Sequence, residues 1–350
     1  MQGSFEPGYL ERLELGAETV RSIRQLGEHR GRQALYLQQS TEVLDVLREI
    51  ASVQSVESSN RIEGIQAPPE RIADLLAQKT APQNRPEQEI AGYRDVLATV
   101  HVRAQEMRLS PGLILQIHRD MMRFTSTSDA GAWKNAPNDI VERLPDGTHR
   151  LRFRPVAPHL VESAVNDLVD GFNTALDSEH VDALILIPAF VLDFLCIHPF
   201  RDGNGRVSRL LTLMLLYQSG YEVGRYVSLD RLVEDTKESY YDALERSSYD
   251  WHEGEHDLRP WLDYFLGILL AAYREFEDRV GHVTRGRGAK REMVLECIRH
   301  LPPVFRYADI ARACPGISRP TIVRVLGELR DNGEIECTKR GRDATWQKKS

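Results

Sequence analysis

A mainly α-helical (all-α) fold is predicted for this 350-residue chain by three features. Apolar residues recur at helical spacing along most of the sequence, a single central region carries hairpin chemistry, and the C-terminal stretch reads as three short helices followed by a small basic hairpin. The composition, 41% hydrophobic and 28% charged, belongs to a packed globular chain and excludes a disordered one.

Taken in order, Gln38 to Ile62 carries Val43, Val46, Leu47, Ile50 and Val53 at helical spacing and stops at Gly64, before Pro68 and Pro69. Residues 78–86 are polar and broken by Pro82 and Pro86, which predicts a loop. Helical patterns resume at 87–104 and at 111–122, where Ser110 and Pro111 suit a helix start. The stretches 138–144 and 149–154 flank Pro145-Asp146-Gly147 and predict a β-hairpin. Helices are expected again at 161–175, 181–197, 206–218, 236–247 and 258–280, with a polar stretch before 236 and a short linker at 284–288.

The most apolar run, Ala183 to Ile197, is too short to span a bilayer and is interrupted by Pro188 and Asp193, so no membrane association is expected. The N-terminal residues show no basic stretch followed by an apolar run, and a cytoplasmic location is the expectation. Cys196, Cys297, Cys314 and Cys337 are spaced too widely to predict a disulfide framework or a zinc site. The net charge of -7 is uneven: from Thr284 onward 15 Lys/Arg stand against 8 Asp/Glu, a basic tail on an acidic body.

The chemistry concentrates in His198-Pro-Phe-Arg-Asp-Gly-Asn-Gly-Arg-Val-Ser-Arg209, between the two most apolar helical segments. A loop so placed is anchored in a core. Gly203-Asn204-Gly205 lets backbone N–H groups turn inward where a helix begins, which makes an anion nest. Arg206 and Arg209 share one helix face and suit phosphate oxygens through paired hydrogen bonds. Asp202 beside that nest is compatible with phosphate when a divalent cation such as Mg²⁺ sits between them. His198 is placed to take a proton from an attacking hydroxyl.

This stretch matches HPFxxGNGRxxR, the active-site motif of Fic proteins, at every fixed position, and the chain resembles that family. Chance agreement has odds on the order of 10⁻⁸ at average residue frequencies, so the match carries weight. The resemblance implies a protein adenylyltransferase that moves AMP from ATP onto a Ser, Thr or Tyr hydroxyl of a target protein, or of itself, and releases pyrophosphate. It assigns His198 as general base, Asp202 to Mg²⁺, Gly203, Asn204 and Gly205 to the anion hole, Arg206 to the inner phosphates and Arg209 to the γ-phosphate. In the related Doc group a Lys replaces the second loop Gly and the reaction is phosphorylation; Gly205 favours AMP transfer.

Ser59-Asn-Arg-Ile-Glu63-Gly64 matches the family's inhibitory pattern (S/T)xxxE(G/N) at the end of an upstream helix. The resemblance implies that Glu63, with Ser59 on the same helix face, competes with the γ-phosphate for Arg209. It also casts the 131–154 hairpin as a target-docking flap, with Lys134, Asn138 and Ile140 in it, and Tyr240 and Tyr241 as an adenine-side pair. Backbone pairing at such a flap demands little of the target's sequence.

The implied organisation is an N-terminal helical domain at 1–95 with the inhibitory helix, a Fic catalytic core with its flap at 96–283, and a winged helix-turn-helix at 284–350. In the last, Arg319, Thr321 and Arg324 sit where DNA contacts would be made, with Arg340 and Arg342 at the wing tip. A homodimer is implied by the resemblance alone. Two alternatives stay open at this level: a DNA-binding transcriptional regulator with a nucleotide-sensing Fic core, and a hydrolase that removes AMP from a modified protein.

Overall fold

The computed structural model describes residues 3–37, 41–143, 147–281, 289–301, 303–314, 317–339 and 344–349. The expected linker at 284–288, turn residues Pro145 and Asp146, and Arg340 and Arg342 lie outside them. The helices are α1 (Ala17–Leu37), α2 (Thr41–Ile62), α3 (Pro69–Leu76), α4 (Arg85–Arg103), α5 (Pro111–Met121), α6 (Val161–Ser178) and α7 (Ala183–Ile197). They continue as α8 (Asn204–Gln218), α9 (Leu229–Asp235), α10 (Lys237–Ser248), α11 (Arg259–Gly281), α12 (Ala289–His300), α13 (Tyr307–Ala313) and α14 (Arg319–Asp331). The strands are β1 (Ile140–Arg143), β2 (His149–Phe153), β3 (Val304–Arg306), β4 (Ile335–Lys339) and β5 (Thr345–Lys348).

Helix α7 is apolar on every side and is buried accordingly, from Leu184 through Phe194 and on to Cys196 and Ile197. It packs against α6, α8 and α11, while α8 also meets α2, α4 and α5. The loop between α7 and α8 therefore starts and ends in the core. His198 closes α7 with φ 52, its N–H donating to Phe194 O at 2.9 Å. Gly203, at φ 84, opens α8. That left-handed conformation is costly for any residue with a Cβ, and one here would also collide with Met121 and Met122.

Helix α2 packs on α4 and α9, and its C-terminal end is tied down side chain by side chain. Arg61 donates to both carboxylate oxygens of Glu234, at 2.7 and 2.9 Å, and Lys237 Nζ donates to Ile62 O at 2.8 Å. The hairpin pairs β1 with β2 antiparallel, with an irregularity between Ile140 and Val141.

Several elements depart from the sequence expectation. Helix α8 begins at Asn204 and not at Arg206, so Gly205 lies inside its first turn. Pro86 is in the first turn of α4, capped by Asn84 accepting from the Glu87 N–H at 3.0 Å, and does not prolong the loop. Helices α1, α3 and α9 and strand β3 were not anticipated. At the C-terminus α12, α13 and α14 accompany a three-stranded antiparallel sheet of order β3-β5-β4, where a two-stranded hairpin was expected. The cysteines correct another expectation: Cys297 and Cys314 form a disulfide, because α12 packs against α13 and brings positions 17 apart together. Among the described residues no helix is long and apolar enough to cross a membrane.

The N-terminal segment seats on α7. Ser4 donates from N and Oγ to the two carboxylate oxygens of Asp193, at 2.7 and 3.0 Å, and Trp251 Nε1 donates at 2.7 Å. Burial raises Asp193 to about 7 despite these bonds. Burial also lowers His118, His198 and His256 to about 4 and His101 to about 3. Below the ordinary histidine value the unfolded chain takes up protons that the folded chain refuses, so stability falls as pH drops from about 6.5 toward 4. Asp193, protonated in the fold across much of that window, acts in the opposite direction, but it is one group against four. The melting temperature is expected to be lower at pH 5 than at pH 7.5, measured by scanning calorimetry at constant ionic strength.

Candidate functional site

The loop is held rigid by its own side chains. Asn204 closes a ring with Phe200, accepting from its N–H at 2.9 Å and donating to its carbonyl at 2.7 Å. The Asn204 side chain is thus committed to loop shape, which leaves anion contact to its backbone. His118 stacks on Phe200 with ring centres 3.9 Å apart. Its Nδ1 accepts the Gly131 N–H at 2.9 Å, which places the ring proton on Nε2, donating to Asp202 O at 3.1 Å.

His198 Nδ1 lies 3.2 Å from Leu195 O. A proton on Nδ1 satisfies that carbonyl and leaves the Nε2 lone pair as acceptor. Burial, assisted by the nearby Lys134 charge, holds the ring at about 4, so it is neutral and competent as a base at physiological pH.

Arg206 is completely buried. Its Nη1 lies 2.7 Å from Glu89 Oε2, yet none of its guanidinium nitrogens has a well-aligned hydrogen-bond acceptor among the described residues. A buried cation with unfilled donor directions is a costly arrangement for a merely structural residue and suits an anionic ligand.

Arg209 is better filled. Nε donates to Ser59 Oγ at 2.8 Å, and Nη2 donates to Ser59 O and to Glu63 Oε1, each at 2.9 Å. Asp230 approaches Nε at 3.3 Å. Burial works to lower this guanidinium, but Glu63, followed by Tyr240, Asp230 and Tyr93, outweighs it and holds the group above its usual value. Glu63 Oε1 also lies directly over Gly205, in space that a Cβ would fill. A carboxylate therefore rests on the first turn of α8, where the unsatisfied N–H groups and the helix dipole favour negative charge.

Asp202 is exposed, its Oδ1 accepting the Gly203 N–H at 2.7 Å. Among the described residues no group of three His, Cys, Asp or Glu is placed to hold a metal. A divalent cation at Asp202 would need most of its ligands from phosphate and water, a donor set typical of Mg²⁺.

The other expected residues are distributed as follows. Ser59 and Glu63 share one helix face and both contact Arg209. Tyr240 is buried beside Arg209, its hydroxyl held above the ordinary value chiefly by burial, and it lines an apolar cavity with Trp261 and Phe265. Tyr241 is half-buried, 5.1 Å from Tyr240 between ring centres. Ile140 starts β1. Lys134 and Asn138, expected at the docking face, turn their side chains inward instead: Lys134 Nζ donates to Asn138 Oδ1 at 2.7 Å and Ile197 O at 3.2 Å, and Asn138 Nδ2 donates to Phe200 O at 2.8 Å. Burial lowers Lys134 to about 8. Arg319, Thr321 and Arg324 lie in the first turns of α14, remote in sequence from the loop, with Arg319 5.5 Å over the Tyr307 ring.

Lys134 therefore braces the backbone that carries His198. Lys134→Met leaves Ile197 O and Asn138 Oδ1 without a donor and is expected to cost about 1–3 kcal/mol in urea denaturation. Nucleotide affinity should stay unchanged, since Lys134 contacts none of the anion-facing groups.

Sequence reasoning missed Glu89, Asp230 and His118. The one available signal was Asp230, an acid between Val227-Ser-Leu229 and Leu232-Val233, an apolar setting that buries it.

A helical domain built around a rigid glycine-bearing loop, with a neutral histidine before it and buried arginines after it, is the class that fold and site define. Residues 108–216 match the Fic/DOC family. It is 26% identical over 151 residues to protein adenylyltransferase fic-1 of Caenorhabditis elegans, covering 43% of this chain and 25% of that protein. It is 25% identical over 207 residues to protein adenylyltransferase Fic of Drosophila erecta, covering 55% of this chain and 38% of that protein. The chain thus spans between a quarter and two fifths of the length of these curated relatives. The crystal structure of a Fic family protein from Desulfovibrio desulfuricans G20 superposes with a TM-score of 0.61 at 21% identity, covering 96% of this chain and 97% of that one. C. elegans Fic-1 (residues 134–508) gives 0.59 at 20% identity, over 76% of this chain and 73% of that one. These structural likenesses are evidence of a shared fold.

Proposed function

We propose that this chain is a protein adenylyltransferase restrained by its own Glu63. The observation that carries the reading is the Glu63 carboxylate on Arg209 over Gly205, an internal anion at the spot where a phosphate would bind. Arg206 supports it, because its buried guanidinium lacks well-aligned acceptors and fits the inner phosphates.

In this reading the loop N–H groups and Arg206 cradle the triphosphate, and Arg209 holds the γ-phosphate once Glu63 withdraws. Mg²⁺, held by Asp202, would supply charge neutralisation at the phosphates. His198 Nε2 takes the proton of the target hydroxyl as its oxygen bonds to the α-phosphorus, and the bond to the β-phosphate oxygen breaks to release pyrophosphate. Most of the catalytic effect is positioning and electrostatics supplied before the reaction begins. The hairpin β1–β2 offers the target backbone pairing. We assign residues 284–350 to a winged helix-turn-helix and 1–95 and 96–283 to the inhibitory and catalytic parts.

Incubating the Glu63→Gly chain with ATP labelled at the α- or at the γ-phosphate tests the reaction class. Protein-bound label from α alone is expected. Label from γ would indicate phosphorylation and overturn the assignment.

A further inference from the structure

Asp202 is held by its neighbours on both carboxylate oxygens. Arg85, in the first turn of α4, donates from Nη2 to Asp202 Oδ2 at 3.2 Å and from Nε to Glu89 Oε1 at 2.8 Å. Glu89 Oε2 in turn meets Arg206 Nη1 at 2.7 Å, and Arg206 Nη2 lies 3.7 Å from Asp202 Oδ1. Asp202, Arg85, Glu89 and Arg206 thus form a closed ring of alternating charges beside the anion loop.

Each Asp202 oxygen keeps a free lone-pair direction, but a cation coordinated there would sit against the positive charge of Arg85 or Arg206, so its binding favours the withdrawal of one of them. The Gly203 N–H is fixed backbone. Arg206 is completely buried and paired with the buried Glu89. Arg85, with a side chain 68% exposed, is the mobile member. Its bond to Asp202 spans two exposed groups and is weak by nature, whereas its bond to Glu89 ends on a buried carboxylate.

We propose that Arg85 is a positioning residue that holds Asp202 in place of the divalent cation and yields it when cation and nucleotide arrive together. This rests on the nucleotide site proposed above. Before ligand binds, Arg85 balances the Asp202 charge and fixes the carboxylate; afterwards it pivots on Glu89, leaving Asp202 to the metal. Its presence makes the cation compete, so Mg²⁺ tightens nucleotide binding less than it would without Arg85.

The test is titration calorimetry of a non-hydrolysable ATP analogue with and without Mg²⁺, using the full chain in the Glu63→Gly background. The quantity read is the factor by which Mg²⁺ tightens nucleotide binding. Arg85→Gln, which can still hydrogen-bond Glu89, is expected to raise that factor roughly two- to fivefold, the range of an exposed ion pair. The gain should shrink at high salt. Asp202→Asn should remove the Mg²⁺ effect. An unchanged or smaller factor in Arg85→Gln, with the effect still lost in Asp202→Asn, overturns the role of Arg85 and leaves the metal site standing. An Mg²⁺ effect that survives in Asp202→Asn overturns the metal site itself.

Discussion

Glu63→Gly is expected to raise AMP transfer by about 10- to 100-fold, the worth of one or two charge-assisted hydrogen bonds returned to the substrate. The substitution frees Arg209 Nη2 from Glu63 but not from Ser59 O, while Nε keeps Ser59 Oγ and Asp230. The guanidinium therefore stays aimed instead of collapsing into the gap. Space opens above Gly205 in the same step. The gain should appear mainly in the turnover rate, because ATP already has the loop and Arg206 to bind to. Pyrophosphate release, followed against the parent chain at saturating ATP, is the measurement; equal rates would contradict inhibition by Glu63. Some stability is lost as well, because a largely buried Arg209 gives up one of its two carboxylate neighbours. Added nucleotide should restore it.

Removing the histidine has the opposite effect. His198→Asn in the Glu63→Gly background is expected to lower transfer by about 10²–10⁴-fold, the usual contribution of a general base. Asn is preferred to Ala because the position has φ 52, a conformation that Asn tolerates. Nucleotide affinity should be unaffected, since His198 contributes no anion contact. A variant that still transfers at the parental rate would place the base elsewhere. Because His198 stays neutral to about pH 4, the rate as kcat/KM should show no acid limb between pH 6 and 8 and should fall only as pH approaches that value. The sign follows from the base being active when deprotonated.

Much of the site was legible because its chemistry is local in sequence. Residues 198–209 are contiguous, and the apolar runs on both sides announce that the loop between them is anchored. Ser59 and Glu63 could be paired with Arg209 only through the family resemblance, since the spacing of four fixes a helix face but not what that face meets. Glu89 and Asp230 escaped notice for a related reason. Glu89 is an acid on a helix that reads as solvated, and only the packing of α4 against α8 turns it toward Arg206; Asp230 stands in an apolar stretch, but what it meets is set by the packing of α9 on α2 and α11. Helix α1 was missed because its few apolar residues, such as Ile23 and Leu26, lie among charges, and its place is set by α11. Strand β3 has three residues, too few for an alternation to register. The inward turn of Lys134 follows from the Ile197 and Pro199 carbonyls left over where α7 ends, which sequence does not display.

Occupancy of the bend between α7 and α8 is decided most directly by crystals of the Glu63→Gly chain soaked with a non-hydrolysable ATP analogue and Mg²⁺. Triphosphate density over Gly203–Gly205, with its terminal phosphate on Arg209 and the α-phosphorus within reach of His198, is the expected result. Nucleotide bound elsewhere with that bend bare, or Arg209 turned away from the ligand, would contradict it.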